Sequence, residues 1–157
     1  AEAEEQVRLQ KFPPLGQRSY GINRAHGYGF DFKPYINTWN ESGILIVQVE
    51  SITAVENIED IVKVPGLDAV MVGPYDISGS LGVPGDTEHP RVREATKCVI
   101  KVCSDLGISC MTQIADVNTN AVEDAFVQGY TAVILGSDLF ILWKWAEKMR
   151  ALIGEFR

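Results

Sequence analysis

An α/β fold made of repeated βα units is what this sequence predicts, and three observations predict it. Two short aliphatic runs, Ile44-Leu-Ile-Val-Gln-Val-Glu50 and Ala69-Val-Met-Val-Gly-Pro-Tyr-Asp76, read as buried strands between turn signals. Two further runs, at residues 108–114 and 131–135, repeat that pattern. Each of the four is followed by a stretch of helical period with its own start or stop signals. Such alternation gives a parallel sheet with right-handed crossovers. Closing an eight-stranded barrel takes roughly 200 residues or more, so four units make about half of one. An open sheet, or two chains completing each other, would satisfy the same pattern. A barrel whose first half precedes this stretch is the expectation carried forward.

The elements follow in order. Residues 1–11, rich in Glu and Gln, read as the end of a helix, which Phe12-Pro-Pro-Leu-Gly16 stops because Pro disfavours helix in the residue before it. Residues 18–29 carry Arg18, Arg24 and His26 among three Gly and read as an ordered loop or broken helix. The two Arg and the glycines suit an anion cradle, but the stretch lacks the P-loop and G-x-G-x-x-G patterns. Packing of its aromatics on a neighbour explains it more simply, and a lone His such as His26 is more often structural than a ligand. Tyr35, Ile36 and Trp39 give residues 31–41 a short amphipathic helix, ended by Ser42-Gly43. Strand 44–50 leads to Thr53-Ala-Val-Glu56, a capping-box pattern, and to a helix closed by Pro65-Gly66. Strand 69–73 leads into a long loop over 73–88. His89-Pro90 then opens a helix with apolar Val92, Ala95, Val99, Val102 and Leu106, stopped by Gly107. Strand 108–114 precedes a helix at 119–128 ended by Gly129. Strand 131–135 passes through Gly136-Ser-Asp138 into a last helix, apolar at Leu139, Ile141, Leu142, Trp145 and Met149. One domain over 1–157 is expected, with 1–43 leading in and 44–157 forming four βα units.

Composition bounds the function. A net charge of −7 argues against nucleic acid or an anionic membrane surface as partner. No window reaches the roughly 18 apolar residues of a spanning helix, and residues 1–10 lack the apolar run of a signal peptide. Cys98, Cys103 and Cys110 are odd in number and without C-x-x-C spacing, so buried free thiols in a reducing, cytoplasmic setting are expected.

The chemistry sits at the strand ends. Parallel strands share one carboxyl-end rim, where α/β proteins bind ligands. Glu50 and Asp76 close the first two strands, so both are expected on that rim, near enough to share one cation. Gln48 lies two residues before Glu50 and therefore on its face. Two carboxylates leave about four positions of an octahedron for water and substrate. Such a site suits a small 2-oxo acid, whose carbonyl a metal polarises and whose enolate it stabilises. The rival route, a Schiff base on a strand lysine, has no candidate, since all seven Lys fall in predicted helices, loops or their ends. Carboxylates at strand ends also cap helices or pair with Arg, but the Gly-Pro-Tyr-Asp turn favours a ligand site by letting backbone amides approach. The neighbouring loop with Gly79 and Gly85 is a candidate lid. Helix capping suffices for Asp116 and Asp138, and Ser137-Asp138 is a weaker anion-site candidate.

Val47-Gln-Val-Glu-Ser51 and Val64-Pro-Gly-Leu-Asp-Ala-Val-Met-Val-Gly-Pro-Tyr-Asp-Ile-Ser-Gly-Ser-Leu-Gly82, at this separation, resemble the HpcH/HpaI aldolase family of metal-dependent pyruvate aldolases. Phe12-Pro-Pro-Leu-Gly16, Arg18-Ser-Tyr-Gly21 and the strand at 131–135 extend the resemblance over nearly all of the chain. It implies the C-terminal half of a (β/α)8 TIM barrel of the phosphoenolpyruvate/pyruvate type. It implies Glu50 and Asp76 as ligands of Mg2+, Mn2+ or Co2+. It also implies Gln48 and the backbone of Tyr75 and Asp76 as substrate contacts. Tyr75 stands where the family often has a smaller residue. The family's catalytic His and enolate-stabilising Arg lie on earlier barrel loops; His26, His89, Arg18 and Arg24 do not match them. No residue of this chain therefore takes a catalytic role, and the chain alone is expected to bind metal weakly and catalyse poorly. The resemblance further implies a homo-oligomer, trimer or hexamer, with an exchanged last helix.

The expected reaction is cleavage of a 4-hydroxy-2-oxo acid to pyruvate and an aldehyde, and the reverse addition, through a metal-stabilised pyruvate enolate. Its rivals are an acyl-CoA lyase of the citrate-lyase β type, which would need basic residues for its phosphates, and a non-catalytic half-barrel assembly module.

Overall fold

The structure, a computed structural model, describes residues 2–156. Helix α1 (Glu2–Gln10) is followed by a 3-10 turn (Arg24–Gly29) and helix α2 (Phe32–Ser42). Then come β1 (Ile46–Val49), α3 (Ile52–Glu56), α4 (Ile58–Val62), β2 (Ala69–Val72), α5 (Pro74–Ser80) and α6 (Pro90–Leu106). The chain continues with β3 (Ser109–Ile114), α7 (Thr119–Gln128), β4 (Ala132–Leu135) and α8 (Asp138–Gly154). The four strands pair in parallel in the order β1-β2-β3-β4, each followed by helix. This is the half-barrel arrangement that the alternating pattern predicts.

Register divides the sheet into two unlike faces. Val47 pairs with Val70, Val70 with Cys110, and Val49 with Val72. These side chains point to the helices, where Val49, Val70, Val72, Cys110 and Ile114 join Val92, Val99 and Cys103 of α6 in the core. The opposite face carries the row Gln48, Met71, Met111 and Ala132. Removing five α6 side chains from water is what fixes that helix, at about 1.5–3 kcal/mol for each large aliphatic side chain.

The lead-in is held by polar and aromatic contacts. The Asn40 side chain accepts from Phe12 N–H at 2.7 Å and donates to Phe12 C=O at 3.0 Å. The Arg18 guanidinium lies 4.0 Å from the Trp39 ring centre, and Nη2 donates to the Tyr35 hydroxyl at 2.8 Å. Arg18 is thus an aromatic anchor. His26 is buried, its Nδ1 accepting from Gly29 N–H at 3.1 Å while Nε2 lies 3.0 Å from Gly21 C=O. It is a structural residue.

Several boundaries differ from the sequence expectation. The first strand is trimmed to 46–49. The following helix is two short ones broken at Asn57, and its cap is Ser51, whose Oγ accepts from Ala54 N–H, rather than Thr53 with Glu56. The expected loop over 73–88 begins with a helix, α5, because Ile77 and Ser78 are fully buried against the core. Its lid role is not what the contacts support. Ser78 Oγ donates to Tyr75 C=O at 2.5 Å and accepts from Gly85 N–H at 2.8 Å, while Leu81 and Val83 pack on the core. Cys103 and Cys110 are buried as expected, but Cys98 is exposed, one position off the apolar stripe of α6. A hydrogen bond shared with Cys103, and burial, push the Cys110 thiol well above the ordinary range. Among the described residues, no helix is long and apolar enough to cross a membrane.

Candidate metal and oxo-acid site

Strand β1 places Gln48 on the open face and ends at Val49, whose burial fixes the strand's orientation. Glu50 follows one step later and returns to the open face. Strand β2 ends level with it: Val49 pairs with Val72, and Gly73 N–H donates to Val49 C=O at 2.9 Å. Pro74 then occupies the first turn of α5, where a missing N–H costs nothing, and Asp76 sits in the same turn.

All three residues border the space beside Gly73. A Cβ added to Gly73 would meet Gln48 Nε2 at 2.8 Å, Glu50 Cβ at 3.2 Å and Asp76 Oδ2 at 3.7 Å. The glycine is required by closeness rather than by backbone angle, since its φ is −106°. It keeps open a cradle that any side chain would fill. Among the described residues neither Glu50 nor Asp76 forms an ion pair, so no arginine or lysine neutralises the pair. Both are exposed, as is Gln48.

The donor set fits a hard divalent cation. Two carboxylates supply anionic oxygens, and Gln48 adds a neutral amide beside them. Among the described residues, no group of three or more His, Cys, Asp and Glu side chains is arranged to hold a metal ion.

Other candidates fall away from this point. The Tyr75 side chain is exposed and lines a neighbouring cleft of about 560 Å³ between α6 and α7, with Thr87, Arg93, Lys97, Thr112 and Tyr130. Gln48, Glu50 and Asp76 do not line it. Arg93 is engaged there by Glu88. Asp116 is not a cap: Asn118 caps α7, and Asp116 accepts from Lys144 Nζ at 3.1 Å. Ser137 caps α8 through Phe140 N–H, and Asp138 accepts from Leu139 N–H, which leaves neither poised as an anion site. The open face also carries a second glutamine. Gln113 pairs with Ile134 on the open face, in the same row as Gly73, and its Nε2 donates to Gly136 C=O at 3.2 Å. Period two counted from Met111 was the available signal.

Comparison with known proteins identifies the family. Residues 1–144 match the family model described as HpcH/HpaI aldolase/citrate lyase. A 2-keto-3-deoxy-L-rhamnonate aldolase from Salmonella paratyphi B is 40% identical over 104 residues, 64% of this chain and 39% of that protein. A HpcH/HpaI aldolase/citrate lyase family protein from Burkholderia cenocepacia superposes with a TM-score of 0.82 at 31% identity, covering 97% of this chain and 60% of that one. A HpcH/HpaI aldolase from Desulfitobacterium hafniense gives 0.77 at 31% identity, covering 95% and 57%. The chain therefore spans well under two thirds of these relatives. By sequence and fold, this chain belongs to the HpcH/HpaI aldolase/citrate lyase family.

Proposed function

We propose that this chain is the metal- and oxo-acid-binding half of an aldolase that cleaves a 4-hydroxy-2-oxo acid to pyruvate and an aldehyde. The observation that carries the reading is the convergence of Gln48, Glu50 and Asp76 on Gly73. Glu50 and Asp76 hold a divalent cation, Mg2+, Mn2+ or Co2+. When bound, the ion supplies Lewis-acid polarisation of the 2-oxo group. Gln48 Nε2 donates a hydrogen bond that orients the oxo acid, and the backbone at Tyr75 and Asp76 lies against it. The bare Gly73 leaves the volume the substrate needs.

Cleavage breaks the bond between C3 and C4, takes the proton from the C4 hydroxyl, and returns a proton to C3 as pyruvate forms. Carboxylates committed to a cation are poor proton carriers, so neither Glu50 nor Asp76 is assigned the proton transfers. The exposed face of α8, with Leu139, Ile141, Leu142 and Trp145, supports assembly as a homo-oligomer. Three free cysteines support a cytoplasmic setting.

The test is retro-aldol turnover, followed by pyruvate release, in a complete family barrel that carries this chain as its last four βα units. Chelator should abolish turnover and Mg2+, Mn2+ or Co2+ restore it. Glu50→Gln turning over at the parental rate in chelator would overturn the roles of both acids.

A further inference from the structure

Beyond Val49 and Val72 the sheet no longer fixes the two acids. Glu50 lies on the turn entering α3, and Asp76 on the first turn of α5. Their spacing depends on what ties one turn to the other. One tie is the last strand bond, from Gly73 N–H to Val49 C=O. The second is Ser80, at the far end of α5, whose Oγ accepts from Ile52 N–H at 3.0 Å. Ile52 is two residues past Glu50 and is the first residue of α3, so its N–H has no partner within the helix. Ser51 already serves Ala54. α5 is thus a two-turn strut carrying Asp76 at one end and gripping the Glu50 turn with the other.

We infer that Ser80 is a positioning residue, which through Ile52 sets the separation of Glu50 and Asp76. The inference rests on the reading of those acids as a cation pair. Ser78, two residues earlier on the same helix, does a different job. Its fully buried hydroxyl bonds Tyr75 C=O and Gly85 N–H, so it ties Gly85 to α5.

The two serines make the test. Mn2+ affinity, read by electron paramagnetic resonance of the free ion, and urea unfolding are measured on the 157-residue chain and its variants. Ser80→Ala should weaken Mn2+ binding by about fivefold, the scale of one lost hydrogen bond. Its unfolding midpoint should stay near the parental one, and Ser80→Thr, which keeps the hydroxyl, should restore affinity. Ser78→Ala should lower the midpoint and leave Mn2+ affinity within about twofold. Parental affinity in Ser80→Ala while Glu50→Gln loses binding would overturn the strut and leave the carboxylate pair standing. Failure of Ser80→Thr to rescue, or a midpoint in Ser80→Ala as low as in Ser78→Ala, would also overturn it. No Mn2+ binding by the parent chain, or parental binding in Glu50→Gln, would overturn the carboxylate pair itself.

Discussion

The two faces of the sheet are built from the same four strands and obey opposite rules. Toward the helices every position seeks burial: Val49, Val70 and Cys110 are at most 1% exposed. Toward the open face the same strands present Gln48, Met71, Met111 and Gln113, and at the rim Glu50 and Gly73. One set of side chains holds the fold together and the other lines the proposed site, separated only by the alternation of the strand. Stability and function should therefore be separable by substitution, residue by neighbouring residue.

The largest effect should come from the buried face. Val70→Asp places an unpaired charge among Val49, Val72 and Cys110 and should cost more than about 4 kcal/mol, which abolishes the cooperative urea transition. A normal transition would mean that this face is not the core. Next comes the rim. Gly73→Ala puts a methyl group against Gln48 Nε2 and Glu50 Cβ, and should weaken Mn2+ binding tenfold or more while costing no more than about 1 kcal/mol of stability. Equal Mn2+ affinity in the alanine variant would mean that the cradle plays no part in binding.

A smaller effect belongs to Tyr130, whose burial pushes its hydroxyl up to about 12, the hydrogen bond with Thr112 acting the other way. The folded state holds the proton more tightly than the unfolded one, so stability is fully present below pH 10 and falls as pH rises from 10 to about 12. Tyr130→Phe should flatten urea midpoints across that window, and an unchanged slope would assign the fall to other groups. Smallest of all, Gln113→Ala on the open face should move stability by no more than about 0.5 kcal/mol. A loss several times larger in the same urea measurement would show that the open face also bears the fold.

The legible part of this chain is the part that depends on local rules. Gly107 and Gly129 read as helix stops and adopt the left-handed conformation, with φ of 70° and 103°, that such caps require. His89-Pro90 reads as a helix start and is one. Glu50 and Asp76 are readable as rim acids because strand ends are fixed by the aliphatic runs before them. What stayed hidden depends on tertiary contacts. Helix α5 looks like a loop because Gly73, Pro74 and Gly79 dominate it locally, and only burial of Ile77 and Ser78 makes it helical. Asp116 looks like a cap until Lys144 of α8 reaches it across 28 residues. The comparison of α6 with α8 makes the same point. Both have 17 residues and apolar periods, yet α6 buries five side chains and α8 none. A pattern states that a face seeks a partner and does not say where that partner is.

The proposed chemistry of the rim depends on Glu50 and Asp76 gripping one divalent ion beside Gly73. Anomalous diffraction at the manganese edge, from crystals of this chain soaked in Mn2+, tests that most directly. A single strong peak is expected between the Glu50 and Asp76 carboxylates, within reach of the Gln48 amide, and its loss is expected in Glu50→Gln. A manganese peak elsewhere, with none between those two acids, would contradict it.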